Sequence, residues 1–436
     1  MSVLSLAVYG KTDDPDTLNK ETFIDGAELT IQLQGALGTG TYAPLWISNN
    51  HYGSISPYAN SVNERIALIR DVNSDSLRQW KWGYGIDLQL LQNAESKFFV
   101  QQAFVDLKWK DFQFTLGSKE REIDLRNNRL TLGSMTQGIN ARPNPMAMLQ
   151  TDYIAFPGTR GWLSFKGRTG YGFILDGDWQ KDWVDKAKYS YTTNRRINEN
   201  AAYMKIGKEP RFPMAFELGV HAFTLFEGGS HNTIGSISSA FTFDLGTWLI
   251  RTYFDHYLEN MSQFFRWHGI KDHLFGLEFA FPKNRFVKSF VMEHFGTNGQ
   301  DISDSFYNDE NGLGWHSWGM SMGNPMILSP IYTINNGEHS LFFHDNQVTA
   351  WHLALEGEPS DEIDWLVKYS FSKNFGEKSN EYGRSFHQTY FVAECGYKPH
   401  WLPGWYGRVS LGVDHAKLYS NCFGAMLTIR RSFKVK

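Results

Sequence analysis

Apolar and polar residues alternate one by one along many segments of this chain. In 363–371 every odd position is apolar, while the even positions include Asp364 and Lys368. The segments 82–91 and 405–414 repeat the pattern. Because successive side chains of a β-strand point to opposite faces, each segment has one apolar face and one mostly polar face. Many such segments, each about ten residues long, predict a transmembrane β-barrel.

The alternation predicts strands along most of the chain. They are 24–34, 82–91, 98–109, 111–117, 162–175, 213–226, 237–244, 247–257, 271–281, 286–295, 348–356, 363–373, 387–397, 405–414 and 422–433. Weaker candidates at 201–207 and 339–344 bring the number of strands to about sixteen to eighteen. The segment 162–175 is predicted to form two shorter strands or one bulged strand, and residues 57–80 fit either a short helix or another strand.

Composition supports a barrel and excludes a helical membrane protein. The 436 residues include 33 Phe, 20 Tyr and 15 Trp, whereas charged residues make up only 20%. The mean hydropathy is −0.40, and no apolar run in the sequence is long enough to cross a bilayer as a helix. A barrel needs only every second strand residue to be apolar, which keeps the mean hydropathy low. Aromatic residues at strand ends are expected at the level of the lipid headgroups, among them Trp109, Trp248, Phe281, Trp351 and Trp405.

Charge, cysteine content and the first residues narrow the class further. The net charge of −4 is small, so no nucleic-acid partner is expected. Cys395 and Cys422 are the only cysteines, and we expect two isolated apolar residues rather than a disulfide. Residues 1–8 lack the basic start and the long apolar core of an export signal. Since an outer-membrane protein needs such a signal, we expect a mature form whose leader was removed.

The connections between the predicted strands differ greatly in length. Some are short turns, such as 110–111, and others are long, polar and rich in aromatic residues. We expect a single outer-membrane barrel domain over 1–436. Its candidate plug or irregular segments are 38–80 and 118–160, and its long loops are 176–200 and 296–347. The sequence does not assign these long connections to one side of the membrane.

Three blocks of sequence carry a family resemblance. They are residues 43–53 (APLWISNNHYG), the stretch 98–145 with FQFTLGSKE and NARPNP, and residues 319–330 (GMSMGNPMILSP). Together they resemble the Wzi-type capsule assembly proteins, in the version common in Bacteroidota, and the resemblance covers essentially the whole chain. It implies an all-β fold, a transmembrane antiparallel β-barrel of about eighteen strands with some helical or irregular plug structure.

The resemblance also implies a function. Family members act as lectins that hold capsular polysaccharide at the cell surface, and no family-wide catalytic residue can be carried onto this sequence. We therefore expect a non-enzymatic outer-membrane protein that organises or attaches capsular or other surface polysaccharide, without a cofactor. An outer-membrane porin or diffusion channel is the main alternative. An outer-membrane hydrolase, or a subunit of a larger surface assembly with partner proteins, is a further one.

Asn140 and Arg142 are candidate ligand-binding residues in a loop that Pro143 and Pro145 restrict. Arg142 offers a planar fork of donors to a carboxylate on an acidic polysaccharide. The alternative is a rigid internal segment in which Arg142 pairs with a buried carboxylate of the barrel wall.

Two aromatic clusters are further candidates for polysaccharide binding. Trp315 and Trp318 lie in the longest irregular segment with Asn311 nearby, and Trp179 and Trp183 lie among acidic residues. Sugars pack their C–H faces on aromatic rings, while their hydroxyl groups bind amides and carboxylates. The alternative for Trp315 and Trp318 is that both anchor their loop inside the barrel mouth.

The run 119–129 contains charges of both signs. It predicts a charged lining of the lumen or part of a sugar-binding patch, or else a solvated loop. The histidines, such as His268 with His273 and His339 with His344, lack a third ligand at convincing spacing, so no metal site is expected.

Overall fold

The computed structural model describes most of the chain. The described residues are 24–74, 79–184, 191–208, 212–227, 229–258, 272–298, 307–308, 314–332, 334–335, 338–377 and 381–435. Their secondary structure is almost entirely β, as the alternation predicts. In chain order the strands and helices are β1 (Glu28–Gly38), α1 (Leu45–Ser48), β2 (Ser61–Arg70), β3 (Trp80–Gln92), β4 (Phe98–Trp109), β5 (Phe112–Ser118), β6 (Met146–Thr151), β7 (Ile154–Ala155), β8 (Leu163–Ile174), α2 (Gly177–Trp183), β9 (Arg195–Gly207), β10 (Met214–Glu227), β11 (Ser230–Asp244), β12 (Leu249–Leu258), β13 (His273–Ala280), β14 (Ser289–Gly296), β15 (His316–Ser317), β16 (Met320–Ser321), a 3₁₀ turn (Pro330–Tyr332), β17 (Ile334–Asn335), β18 (Glu338–His339), β19 (Gln347–Gly357), β20 (Ile363–Gly376), β21 (Glu381–Tyr397), β22 (Trp405–His415) and β23 (Cys422–Lys434).

The first strand closes the sheet into a barrel. β1 pairs along one edge with β2 and along the other edge with the last strand, β23, from Glu28 opposite Lys434 to Gly38 opposite Gly424. The result is a closed antiparallel β-barrel of 18 strands, which confirms the predicted fold class. The short strand β7 and the pairs β15–β16 and β17–β18 lie outside this count. Closure leaves no sheet edge whose backbone groups would face lipid unpaired.

Several segments correct a prediction or decide an open one. The segment 162–175 forms one strand, β8, which pairs with β9 without a shift of register, so the prediction of a split or bulged strand is wrong. The break lies instead in the strand that pairs with the other edge of β8, where two separate strands, β6 and β7, pair with different parts of β8. The weak candidate 339–344 is not a wall strand, because only His339 joins a two-residue strand. Within the predicted irregular segment 38–80, residues 61–70 form the wall strand β2.

The two ends of the barrel differ in their connections. We call the end where β1 begins and β23 ends the terminal rim, and the opposite end the far rim. Connections at the terminal rim are short, as at 110–111, whereas 39–60, 119–145, 175–194 and 297–346 all leave and re-enter the wall at the far rim. Outer-membrane barrels carry short turns on the periplasmic side and longer loops outside, so the far rim is the outer one.

The long segments of the far rim fold back into the barrel. We call their described core residues, 39–60, 119–145, 175–184, 191–194 and 314–332, the plug. Helix α1 buries all four of its residues, and the Leu45 N–H donates to Asp414 Oδ2 of the wall at 2.6 Å. Leu130, Ile327 and Phe343 lie in a buried apolar core that extends from these segments to the wall. The middle of the barrel is therefore packed protein.

The outer face of the wall is apolar. Ile31 on β1 and Leu411 on β22 are among its exposed large side chains. At the terminal rim, Trp80 and Trp109 stack with ring centroids 5.9 Å apart, whereas Trp351 lies nearer the far end of β19. Such a face matches a lipid environment with aromatic side chains near the headgroups. Among the helices of the described ranges, none has the length and hydropathy of a membrane-spanning helix.

Candidate functional site

The charged run 119–129 of the plug is paired with the inner wall. Arg126 Nη2 lies 2.7 Å from Asp255 Oδ2, and both side chains are fully buried. A buried charge is stable only with a partner, so these pairs fasten the plug to the wall. The run therefore lines the lumen and is not a solvated loop. Its pairs are Lys119–Asp106, Glu120–Arg65, Arg121–Glu199, Asp124–Arg168, Arg126–Asp255 and Arg129–Asp364.

The plug continues this pattern with hydrogen bonds to Glu293, a fully buried carboxylate of β14. The Thr131 hydroxyl donates to Glu293 at 2.5 Å, the Leu132 N–H at 2.6 Å and the Tyr253 hydroxyl at 2.5 Å. These bonds satisfy the carboxylate without a bound ligand. This part of the lumen is structural.

The predicted tryptophans lie inside the plug. Trp179 and Trp183 on α2 stack with ring centroids 5.3 Å apart, and their indole N–H groups donate to Glu95 Oε2 at 2.8 Å and to the Ser340 carbonyl at 3.1 Å. The Trp315 indole N–H donates to the Thr136 carbonyl at 2.8 Å. All three side chains are buried. In this arrangement they anchor the plug, and the geometry gives no support to the sugar-binding role predicted for them.

The two predicted asparagines give no support for ligand binding either. Asn140 is fully buried; its Oδ1 accepts from the Asn50 N–H at 3.0 Å, and its Nδ2 donates to the Gly323 carbonyl at 2.6 Å. Asn140 therefore ties two plug segments together rather than facing a ligand. Asn311 lies outside the described residues.

Among the predicted site residues that the structure describes, Arg142, with Trp318 beside it, has surroundings that fit a ligand. Its guanidinium carbon lies 3.5 Å from the centroid of the Phe99 ring and 4.8 Å from that of Trp318, which is half-buried. Gly53 allows the backbone of the first plug segment to lie close to the backbone of Arg142. Its φ is +64°, and a Cβ at this position would lie 2.8 Å from the backbone nitrogen of Arg142. Two aromatic rings thus hold the planar group in place.

No carboxylate neutralises Arg142 within the described part of the chain. Its Nη1 is buried without a hydrogen-bond partner, and no Asp or Glu lies within 4.0 Å. Burial lowers the pKa of Arg142 to about 9, while the charge of Glu95 opposes that shift. The guanidinium therefore remains a cation at neutral pH. The predicted alternative, a salt bridge to the barrel wall, is not found among these residues.

Arg142 lines a small basic pocket in the far-rim half of the lumen, which we call the Arg142 pocket. Its volume is about 80 Å³. Lys119 and Arg121 add positive charge, although each has a wall carboxylate as partner. Arg142 and Asn144 are partly exposed, so the pocket is accessible. The residues that line it are Tyr52, Lys119, Arg121, Gln137, Gly138, Ala141, Arg142, Pro143, Asn144, Met146, Ile197, Phe223, Trp315 and Met322.

A second, larger space lies nearer the terminal rim, and we call it the terminal chamber. It consists of two adjoining cavities of about 340 and 390 Å³ that share His51, Tyr52 and Arg408 in their lining. Arg408 is paired in it: its Nη1 lies 3.1 Å from Glu394 Oε2, and its Nη2 lies 3.3 Å from Asp364 Oδ1. Lys368 and Arg430 instead lie over the rings of Trp46 and Tyr406. Tyr52 also lines the Arg142 pocket, so it stands between the two spaces.

The plug also carries a G-x-S-x-G sequence at 319–323, the spacing of a hydrolase nucleophile elbow. Here Ser321 is fully buried, its Oγ accepts from the Gly323 N–H at 3.1 Å, and it lies on the two-residue strand β16. A nucleophile elbow places its serine at an exposed strand-to-helix turn. Ser321 lines none of the cavities described above, so the motif serves the packing of the plug.

Phe99, which packs on Arg142, was missed in the sequence, whereas Lys119 lies in the run 119–129 for which a sugar-binding patch was one alternative. Phe99 lies on the inward face of β4 and carries no local signal of ligand binding. The alternation along β4 shows that Phe99 points inward. It gives no hint that Arg142, from a distant loop, lies on the ring.

Comparisons with known proteins support the fold. No family model matches the sequence, and no curated protein matches it. Wzi of Escherichia coli, an outer-membrane protein involved in group 1 capsule assembly and described as a carbohydrate-binding β-barrel, has a similar structure with a TM-score of 0.58. It is 14% identical over an alignment that covers 93% of this chain and 85% of Wzi.

Two Pseudomonas aeruginosa proteins are also similar in structure. OccK5 (OpdH) has a TM-score of 0.53 and 8% identity, and the alignment covers 95% of this chain and 100% of that one. OccK2 (OpdF), solved in complex with glucuronate, has a TM-score of 0.53 and 9% identity, with 94% and 98% covered. At these identities the likeness shows an outer-membrane barrel fold and nothing finer.

Proposed function

We propose that this protein is an outer-membrane lectin-like barrel that binds an anionic surface saccharide through the Arg142 pocket. One observation carries the proposal: a cationic guanidinium lies clamped between Phe99 and Trp318 with a buried N–H that no described residue accepts. Buried donors in proteins are almost always satisfied, so the unused Nη1 favours an external acceptor. A carboxylate matches the fork of a guanidinium with two parallel hydrogen bonds.

The surroundings support a sugar acid rather than a small inorganic anion. Trp318 is half-buried and borders the guanidinium, and an aromatic face packs well against the C–H groups of a sugar ring. Asn144 and Gln137 offer amide groups to hydroxyls. A pocket of about 80 Å³ is smaller than a sugar ring, so it would take the carboxylate and the adjoining edge of one acidic residue, and the rest of the polymer would lie over the far rim. Capsular polysaccharide with uronate units is the ligand class that we propose.

The protein is proposed to bind its saccharide without cleaving it. Glycoside hydrolysis uses a pair of carboxylates on either side of the bond. The lining of the Arg142 pocket contains neither Asp nor Glu, and its charged members are Lys119, Arg121 and Arg142. The carbohydrate-binding description of Wzi, whose fold is similar, agrees with this reading.

Titration of the purified protein with two matched oligosaccharides tests the proposal. One contains glucuronate, and the other contains glucose at the same positions; binding is followed by calorimetry. Wild type should prefer the acidic oligosaccharide, and Arg142→Ala should weaken its binding at least tenfold. Arg285→Ala, which removes an exposed arginine of the terminal rim, should change nothing. Equal binding of the two oligosaccharides, or unchanged binding by Arg142→Ala, would refute the proposal.

A diffusion channel is the second candidate, and Tyr52 favours it. Tyr52 lines both the Arg142 pocket and the terminal chamber, so two spaces that reach toward opposite rims adjoin at this residue. Single-channel recording in a planar bilayer separates the two functions. A plugged lectin is silent, whereas steady conductance by wild type would favour the channel.

A further inference from the structure

A row of outward positions, five with polar side chains and one a glycine, follows the outer face of the wall at the far rim. The row consists of outward positions that lie directly opposite one another on six successive strands, β12, β13, β14, β19, β20 and β21. We call it the outer row. Its members are His256, His273, Gly296, Thr349, Lys373 and His387.

A further histidine extends the outer row toward the middle of the membrane. His294 Nδ1 lies 3.0 Å from His273 Nε2, and the His294 ring packs edge-on against Trp351 with centroids 4.7 Å apart. Histidines of three neighbouring strands therefore lie close together, and Trp351 lies beside His294, one outward position below the outer row. An arrangement of this kind, polar above and aromatic below, marks the level where a bilayer changes from headgroup to hydrocarbon.

The alternation of side chains along these strands places the outer row on the lipid side. Leu274, Phe295 and Val348, the alternate residues of the same strands, are completely buried toward the plug. Phe275, which shares the face of His273, is 43% exposed, and Trp351 is 49% exposed. The outer row thus forms the upper border of an apolar wall that faces lipid.

The charge of this face is positive. In the described parts of β12, β13, β14, β19 and β20, no outward position carries Asp or Glu. Lys373 Nζ lies 5.1 Å from the Phe375 ring and has no carboxylate partner among the described residues. His256 Nδ1 lies 3.0 Å from the Asp272 carbonyl, the Thr349 hydroxyl donates to Asn298, and His273 and His294 share one hydrogen bond. The donors that the row offers to an anion are therefore chiefly the three N–H groups of Lys373 and the imidazole of His387. Such a set of donors and cations is complementary to phosphate.

We propose that the outer row binds the phosphate groups of phosphorylated lipids in the outer leaflet. The far rim is the outer one, the row lies at headgroup level, Lys373 and His387 present donors there, and the described outward positions of β12, β13, β14, β19 and β20 carry no carboxylate to repel an anion. The histidines and Lys373 would fix the barrel to the lipid around it on this side of the wall. A metal site is a weaker reading, since no group of three His, Cys, Asp or Glu residues in the described ranges is arranged to hold a metal ion.

Lipid A is a suitable probe, because its phosphates can be removed while its acyl chains stay the same. Native mass spectrometry of the detergent-purified protein measures the binding of bisphosphorylated and dephosphorylated lipid A. Wild type should bind the bisphosphorylated form about fivefold more tightly or better, since each cation near an anionic surface contributes about 1 kcal/mol. Lys373→Gln combined with His387→Asn should remove most of this preference, and His273→Asn part of it.

Three controls make the test decisive. Arg285→Gln, at the terminal rim, should keep the full preference, and every variant must retain the folded-band mobility of a barrel on an unheated gel. The outer-row variants should also bind acidic saccharide like wild type, which separates this inference from the Arg142 pocket. Equal binding of both lipid A forms by wild type would overturn the inference. So would full displacement of the lipid by inorganic phosphate at the same phosphorus concentration, which would indicate a site for free phosphate.

Discussion

The arginines in two parts of the plug segment 119–145 have different surroundings. Between 119 and 129 each arginine faces a wall carboxylate, as Arg126 does with Asp255 at 2.7 Å. Further along, Arg142 lies between two aromatic rings, and no carboxylate of the described chain reaches it. The two parts differ in whether a carboxylate pairs with the arginine, and not only in how deeply the arginine is buried. A paired buried arginine holds the plug in the barrel, whereas an unpaired one is suited to an anion from outside.

The largest effect should come from breaking a pair in the first part. Arg126→Met leaves Asp255 buried without its counter-charge, and the free energy of unfolding should fall by about 3–5 kcal/mol. Urea unfolding of the folded barrel in micelles measures this change. Arg142→Met is the matched variant of the second part, and its effect on stability should be within about 1 kcal/mol of zero because no ion pair is lost. Equal losses of unfolding free energy in Arg126→Met and Arg142→Met would show that pairing with a carboxylate does not distinguish the two parts.

Acid should weaken the first part and spare the second. Burial alone would raise the pKa of Asp124, but Arg168 and Lys166 outweigh it and bring the pKa to about 2. In the unfolded chain the pKa is about 4. The folded-state value is depressed, so the stabilisation is complete above about pH 5 and is lost as the pH falls toward 2, with a magnitude of about 2 kcal/mol.

Urea midpoints between pH 5 and pH 2 measure this contribution. Asp124→Asn cannot titrate, so its stability should fall less steeply over that range than that of wild type. Arg142→Ala should keep the wild-type slope, because its pKa lies far above this range. Parallel curves for wild type and Asp124→Asn would show that the pairs of Asp124 do not stabilise the fold.

The smallest effect concerns the clamp around Arg142. Phe99→Leu keeps an apolar side chain but removes the ring that lies 3.5 Å from the guanidinium carbon. The cation–π contact contributes about 0.5–1 kcal/mol at partly exposed sites, so affinity for the acidic oligosaccharide should fall about threefold. Calorimetry with Phe104→Leu as a control measures it, since Phe104 lies on the same inward face under Lys119. A loss confined to Phe104→Leu would place the binding site elsewhere.

The wall could be predicted from sequence because its physics is local. A strand with lipid on one side must alternate, and Ile363–Gly376 is a strand of the wall where alternation over 363–373 predicts one. The error at 162–175 has a local cause as well. Lys166 and Arg168 look like a break in the pattern, yet both point inward and pair with Asp124 of the plug, so the strand runs on.

The site could be predicted only in part because its contacts are not local. The loop of Arg142 was visible from its prolines, but the rings that clamp it come from β4 and from the segment after β15. Trp179 and Trp315 have the aromatic and polar neighbours of a sugar site, and the same neighbours satisfy a buried indole N–H. Because the partner residues are distant in sequence, the sequence does not show whether such a tryptophan binds a sugar or is buried with its N–H bonded inside the plug.

The docking of α1 sets the order in which this barrel can fold. The Leu45 N–H bonds to Asp414 across 369 positions of the chain, and Trp46 bonds to Ser370 across 324. The part of the wall to which α1 binds therefore exists only once β20 and β22 are in place. Contacts between such distant residues form slowly, because a long loop must close before they contribute. We therefore expect the docking of α1 onto the wall to be a late step of folding, after the strands that carry Asp414 and Ser370 have paired.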